Sequence, residues 1–247
     1  MLTSPISSFF CPTRIHLGIG AHTQLASVLQ GYDCQRLFIA LDRALQGGDF
    51  YQRIEAILAE QNIATAVFTD IEADPSDTTV ERAFAVCRAH NATAILAVGG
   101  GSTMDVAKAV GILATNGGRI HDYEGIEKFS KPPLPLIAIP TTAGTGSEVS
   151  GSCVISDTTR HLKMSIRHAA LNPAAVAILD PLALVTMPGH VAAHSGLDAF
   201  VHAFEAYISR QSNLVSDALS LQAVELIAAN IRPFVADRSN LEAGLNM

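Results

Sequence analysis

The sequence predicts an α/β domain built on a parallel sheet, followed by an all-α domain. Three observations carry that expectation. Short apolar runs alternate with helix-period segments from residue 13 to residue 179. Two of the runs open into loops of glycine and hydroxyl residues, at 99–102 and 140–147. From Pro188 onward Ala, Leu, Val and Ile recur at helical spacing only, which sets a boundary near Thr186 and divides the chain into 1–186 and 187–247.

Taken in order, residues 13–17 read as a strand, and Gly18 to Gly20 as a turn into a helix over 21–29. Residues 36–41 form a buried-strand run that ends at Asp42. Ile54, Ile57 and Leu58 give 50–60 a helical spacing. Residues 63–68 are strand again. Asp74-Pro75-Ser76 starts a helix capped by Ser76 or Asp77 and running to His90. Residues 94–98 are the next strand and 103–114 the next helix. The apolar run 136–139 stops at Pro140, which has no backbone donor. Residues 153–156 and 163–166 bracket a turn and predict a hairpin. Residues 176–179 are the last strand. Strand and helix alternate over short links, so a parallel sheet with helices on both faces is the economical arrangement.

With 247 residues, the chain has room for one large domain or two smaller ones. A formal net charge of -7, with no basic run among its 16 Lys and Arg, argues against a nucleic-acid partner. The four cysteines are scattered, as expected of reduced thiols. No leader or uninterrupted membrane-length apolar run is visible, so a soluble cytoplasmic protein without a membrane partner is expected.

The chemistry gathers at a few places. Gly99, Gly100, Gly101 and Ser102 follow a strand and open a helix carrying Asp105 and Lys108. Such a turn leaves backbone N–H groups free at a helix N-terminus, where a phosphate is stabilised; a plain tight turn is the alternative. It is neither a G-x-G-x-x-G fingerprint nor a Walker loop. Thr141, Thr142, Thr145 and Ser147 offer hydroxyl groups beside Gly144 and Gly146, which permit close backbone approach to a ligand. Asp42 stands where a carboxylate accepts hydrogen bonds from a ribose diol and repels a 2′-phosphate, although a helix cap would look the same. His190, His194, Asp198 and His202 recur at i, i+4 spacing. Either His194 with Asp198 or Asp198 with His202 can share a metal ion, because His194 and His202 are about 12 Å apart at ~1.5 Å per residue. Glu205 lies one turn beyond His202.

These pieces in this order resemble the iron-containing (group III) alcohol dehydrogenase family. The resemblance rests on Gly99-Gly100-Gly101-Ser102 with Asp105 and Lys108, on the run from Pro140 through Thr141-Thr142-Ala143-Gly144-Thr145-Gly146-Ser147 to Glu148, and on the run from Gly196 through Asp198 and His202 to Tyr207. Asp122-Tyr123-Glu124-Gly125, Lys163 and Asp180-Pro181 add to it. The resemblance implies a Rossmann-like dinucleotide-binding domain and a helical metal and substrate domain, with the active site between them. It implies NAD and Fe(2+), with Zn(2+) the alternative, and hydride transfer between a small alcohol or aldehyde and the nicotinamide ring. Asp42 matches the adenosine-ribose carboxylate and residues 99–103, including Thr103, the pyrophosphate loop, with Asp105 counted beside it. Thr141 to Thr145 match the nucleotide wall, Lys163 lies toward the nicotinamide ribose, and Asp198 and His202 match the first two metal ligands. A homodimer is expected of the full-length form.

Three departures accompany the match. Asp74 stands where the family commonly has Asn at a nucleotide contact. His194 replaces a small or hydroxyl residue. The family's two further metal-binding histidines come from helices beyond Met247, so the helical domain is expected to be incomplete. Two alternatives follow: a catalytically inactive NAD-binding fragment, and an enzyme of the glycerol dehydrogenase or dehydroquinate synthase type. The retained Asp198 argues against a maleylacetate reductase.

Overall fold

The computed structural model describes residues 6–247; residues 1–5, part of the segment searched for a leader, lie outside the described residues. The main sheet is formed by β1 (Arg14–Leu17), β2 (Arg36–Leu41), β3 (Ala64–Phe68), β4 (Ala94–Gly99), β6 (Leu136–Pro140) and β9 (Val176–Leu179). Their order is β1-β9-β6-β4-β2-β3, and every pairing is parallel. Parallel strands need crossovers, which the helices α1 (Leu25–Gly31), α2 (Asp49–Glu60), α3 (Asp77–Ala89) and α4 (Gly101–Asn116) provide.

Both faces of the central strands are dry, which explains why they read as unbroken apolar runs, whereas the edge strands β1 and β3 are largely exposed. Every residue of β4 and β6 is buried. Alternation along the strands divides the core in two. Leu37, Ile39, Leu41, Leu96, Val98, Ile137 and Ile139 pack against α1 and α2. Phe38, Ala40, Ile95, Ala97 and Ala138 pack against α3 and α4.

The predicted hairpin is present as β7 (Ser152–Asp157) and β8 (Leu162–Arg167), paired antiparallel from Ser152↔Arg167 to Asp157↔Leu162. It does not join the main sheet. With β5 (Gly125–Ile126), a strand too short to be legible in the sequence, it makes a second sheet of order β5-β8-β7. Its inward residues Cys153, Ile155, Met164 and Ile166 extend the core on the α4 side. Several boundaries differ from expectation; the helix expected over 21–29 is a 3-10 turn at Ala21–Gln24 followed by α1. α4 starts at Gly101 rather than at Thr103, because Gly100 already has the extended backbone of a helix cap. Pro140 does not stop the ladder, since Thr141 N–H donates to Gly99 C=O at 3.0 Å.

The remainder is helical: α5 (Gly189–Ile208), α6 (Leu214–Ala236) and α7 (Leu241–Asn246). α5 buries Ala192, Gly196, Ala199 and Ala203, a stripe at three- and four-residue spacing. The small side chains bring α6 close: a methyl group on Gly196 would lie 3.0 Å from Ile231. The opposite faces carry exposed Leu197, Val201, Phe204, Leu219 and Leu221. By length and composition alone α6 could cross a membrane, although Asp217 and Glu225 interrupt its apolar run. Asn213 caps α6 by accepting hydrogen bonds from the N–H groups of Val215 and Ser216, while Ser216 Oγ accepts from Asn213 N–H. Replacing Asn213 with Ala should cost about 0.5–2 kcal/mol, read as a lower urea midpoint with little change in slope.

Candidate functional site

The C-terminal edge of a parallel sheet is where loops of different strands converge. Here the loops after β4 and β6 interlock through the glycines. A methyl group on Gly99 would lie 2.4 Å from Thr103 Oγ1, on Gly100 3.2 Å from Thr142, and on Gly101 3.3 Å from Thr145. The glycine run therefore serves close packing of threonines as well as the turn itself. No side chain caps α4, so its first N–H groups face the loop region without a side-chain partner. Thr142 Oγ1 is shielded from solvent and has no hydrogen-bond partner among the described residues. A buried hydroxyl in that state is costly and indicates a missing partner.

The loop after β6 is held from the helical side too. Ala143 is buried with Leu184, Met187, Ala192 and Phe234. Gly144 has φ 145°, and a methyl group there would lie 2.0 Å from the Ser195 carbonyl oxygen of α5. Between the loop, β9 and α7 lies a cleft of about 110 Å³ lined by Thr142, Gly144, Leu179, Pro181, Leu184 and Glu148 among others. Burial pushes the Glu148 carboxyl above its ordinary range. The position of Glu148 between loop and helices has no local signature in the sequence.

Asp42 closes β2, its N–H bonded to Val98 C=O on β4. Its Oδ1 accepts from Ala44 N–H at 3.0 Å, the cap that the sequence had left as an alternative, while Oδ2 makes no hydrogen bond among the described residues. Asp105 is turned to a different task from ligand contact. Its Oδ1 accepts from Ser147 Oγ and its Oδ2 from Val154 N–H, and burial raises its pKa. Lys108, 3% exposed, donates to the carbonyls of Ser150 and Ser152 at 2.9 and 2.8 Å. Burial lowers its pKa, and the pair ties α4 to the segment entering β7.

Asp74 and Lys163 meet each other at 2.7 Å, both more than half exposed. The carboxylate that departs from the family's Asn is thus faced by a cation from β8, and Asp74 takes a left-handed backbone at φ 53° to reach it. On α5, Asp198 Oδ1 and His202 Nε2 are 3.6 Å apart. His194 instead stacks edge-on against His190 at 6.4 Å between ring centres. Both Asp198 and His202 are about half exposed, and His202 lines an open groove with Gly144, Gly146 and Glu148. Two ligands fall short of the three that a metal centre of this kind takes from protein. The described cluster of three ligand-type side chains lies elsewhere, at Asp77, His121 and Asp157.

Two family patterns fall on this chain. The pattern "Iron-containing alcohol dehydrogenase" matches residues 12–181. The chain belongs to the iron-containing alcohol dehydrogenase family. The family's C-terminal pattern matches residues 192–247. Among curated relatives, a 1,3-propanediol dehydrogenase of Klebsiella pneumoniae is 39% identical over 98% of this chain and 61% of its own length. An NAD-dependent methanol dehydrogenase of Bacillus methanolicus is 36% identical over 96% of this chain and 62% of its own length. A solved 1,3-propanediol oxidoreductase superposes with a TM-score of 0.94 at 36% identity, covering 98% of this chain and 63% of that one. A sulfoacetaldehyde reductase of Bifidobacterium kashiwanohense, solved with NAD+, gives 0.89 at 27% identity over 98% of this chain and 64% of its own. The chain therefore spans about three fifths of the length of these family members.

A second anchor fixes the edge of the cleft. Asp180, 3% exposed, accepts from the N–H groups of Gly20, His22 and Leu182 and meets His22 Nδ1 at 2.5 Å. Burial alone would raise its pKa, but these hydrogen bonds outweigh it and hold the carboxyl below the ordinary 3.8. The unfolded chain then takes up the proton more readily than the native one. Stability from Asp180 is complete above the unfolded value and drains as pH falls below it. Asp180→Asn should lower the urea midpoint at pH 7 and flatten its acid dependence below about pH 5. Gly144→Ala should destabilise by about 2–4 kcal/mol through overlap with Ser195. Gly146→Ala, with φ 60° but no atom within 4 Å of the added methyl, should lose only about 1 kcal/mol in the same urea titration.

Proposed function

We propose that this chain carries the nucleotide-binding part, and the first half of the metal centre, of an NAD-dependent alcohol dehydrogenase. The reaction is hydride transfer between a small alcohol and NAD, giving the aldehyde or ketone, and the reverse. The observation that carries the reading is the unpartnered Thr142 Oγ1 beside the uncapped N-terminus of α4. A diphosphate accepts from helix N–H groups and from a hydroxyl in that position. Relatives described by name as NAD-dependent or solved with NAD+ support the same choice.

In this reading Gly100 to Thr103 present N–H groups to the diphosphate, and the Gly144 loop forms the wall against the helical part. The free oxygen of Asp42 accepts from the adenosine ribose, and its charge disfavours a 2′-phosphate. The apolar cleft beside Leu179, Pro181 and Leu184 suits a flat base. Lys163, held by Asp74, is placed on the hairpin toward the nicotinamide ribose. Asp198 and His202 would hold Fe(2+), with Zn(2+) as the alternative, and the remaining ligands must come from outside the described residues. When bound, such an ion polarises the alcohol oxygen and favours its deprotonation.

The shortage of metal ligands favours a second reading for the 247-residue chain taken alone: it binds NAD without turnover. Calorimetry with NAD and activity assays with added iron or zinc separate the two. Asp42→Ala should weaken NAD binding by about 1.5–3 kcal/mol, roughly 10- to 150-fold, and relax the bias against NADP. Thr142→Val should weaken NAD and NADP alike. Unchanged affinity for both nucleotides in both variants would overturn the placement of the nucleotide.

A further inference from the structure

A group remote from the Asp198–His202 pair has the make-up of a metal centre. Asp77 is the first residue of α3, His121 sits in the short helical turn Ile120–Tyr123, and Asp157 ends β7. Their ligand atoms all lie within 4.8 Å of one another. His121 Nε2 is 2.9 Å from Asp77 Oδ2 and 3.5 Å from Asp157 Oδ2. Yet neither ring nitrogen of His121 has a hydrogen-bond partner among the described residues, although both are shielded from solvent. The imidazole is therefore close to two carboxylates without being aligned to bond either. Those separations, within ion-pair range, also fit a shared ion. Two ligand atoms each about 2.1 Å from one ion stand about 3.0 Å apart at a right angle and about 3.4 Å apart at the tetrahedral angle.

The carboxylates are also oriented for the task. Asp77 Oδ1 accepts from the N–H groups of Thr78 and Thr158, which leaves Oδ2 toward the imidazole. Asp157 Oδ1 accepts from Thr159 N–H and Oγ1 and from Arg160 N–H, and its Oδ2 faces both His121 and Arg160 Nε. Arg160 in turn reaches Glu124 at 2.7 Å. Outer partners of this sort fix the direction of ligating oxygens. Asp77, Asp157 and Glu124 against Arg160 leave two negative charges unbalanced, the charge of one divalent cation.

We propose that Asp77, His121 and Asp157 bind one divalent transition-metal ion, with Zn2+ and Mn2+ matching a set of one imidazole and two carboxylates. The ion staples the start of α3 to the β7–β8 turn and so fixes the hairpin that carries Lys163. Its role is structural and independent of the family metal pair on α5.

The test uses the full chain carrying Asp198→Ala and His202→Ala, so that the α5 pair is silent. Titration with Zn2+ in a calorimeter and with Mn2+ by electron paramagnetic resonance should each find one equivalent bound, and added Mn2+ should raise the thermal unfolding midpoint. Adding His121→Gln should weaken binding at least 10-fold and abolish the rise, and Asp77→Asn should weaken it similarly. Absence of binding in the α5-silent protein would overturn the proposal, as would unchanged affinity after His121→Gln. Should the Gln variant fold poorly, Co2+ added to the α5-silent protein decides: new visible d–d bands saturating at one equivalent support the site, and a spectrum equal to that of aqueous Co2+ refutes it.

Discussion

The constraint on which the site depends is the contact of Gly144 with the carbonyl of Ser195. No side chain can stand between them, so the loop leaving β6 lies directly on the backbone of α5. The nucleotide wall and the α5 metal pair meet through that apposition. It sets Thr142 and the α4 N-terminus on one side and His202 on the other, within one wall. Ala143, buried among residues from four helical segments, keeps the loop from lifting away.

A second theme is how much of the polar chemistry is already used internally. Asp105 and Lys108 sit in a family motif, yet they bind the protein's own Ser147, Ser150, Ser152 and Val154. Burying such a pair is favourable only because each group is fully engaged. Motif membership therefore marks these residues as builders of the loop, while the hydroxyl left without a partner marks the ligand side. Asp74 and Lys163 illustrate the opposite case, an exposed pair worth at most about 1 kcal/mol, which can open for a ligand without endangering the fold.

The centre of the main sheet was legible in the sequence because both faces of its inner strands are buried. Arg36–Leu41 and Val176–Leu179 stand out as apolar runs with the bounds that the structure gives them. The hairpin was legible from Asp157-Thr158-Thr159-Arg160, but not its separation from the main sheet, since sheet membership depends on pairing between distant segments. The glycine turn was visible, whereas its packing against Thr142 and Thr145 was not, because those partners come from another strand. Asp198 with His202 could be chosen only by resemblance, as side-chain direction along one helix does not distinguish two equal spacings. Asp77, His121 and Asp157 had no signal at all: they are far apart in the chain and share no motif.

The stripe that α5 buries has a consequence for cooperativity. Its residues are Ala and Gly, and the core shared with α6 and α7 contains one large ring, Phe234. Small side chains lose little water-exposed area on packing, so this part opens at lower free energy than the sheet. Amide hydrogens of α5 and α6 are then the first to exchange, and the Gly144 loop shares their opening through Ser195. A nucleotide seated against that loop draws on the same equilibrium: whatever free energy orders the helices is subtracted from its affinity, and whatever holds it slows their exchange.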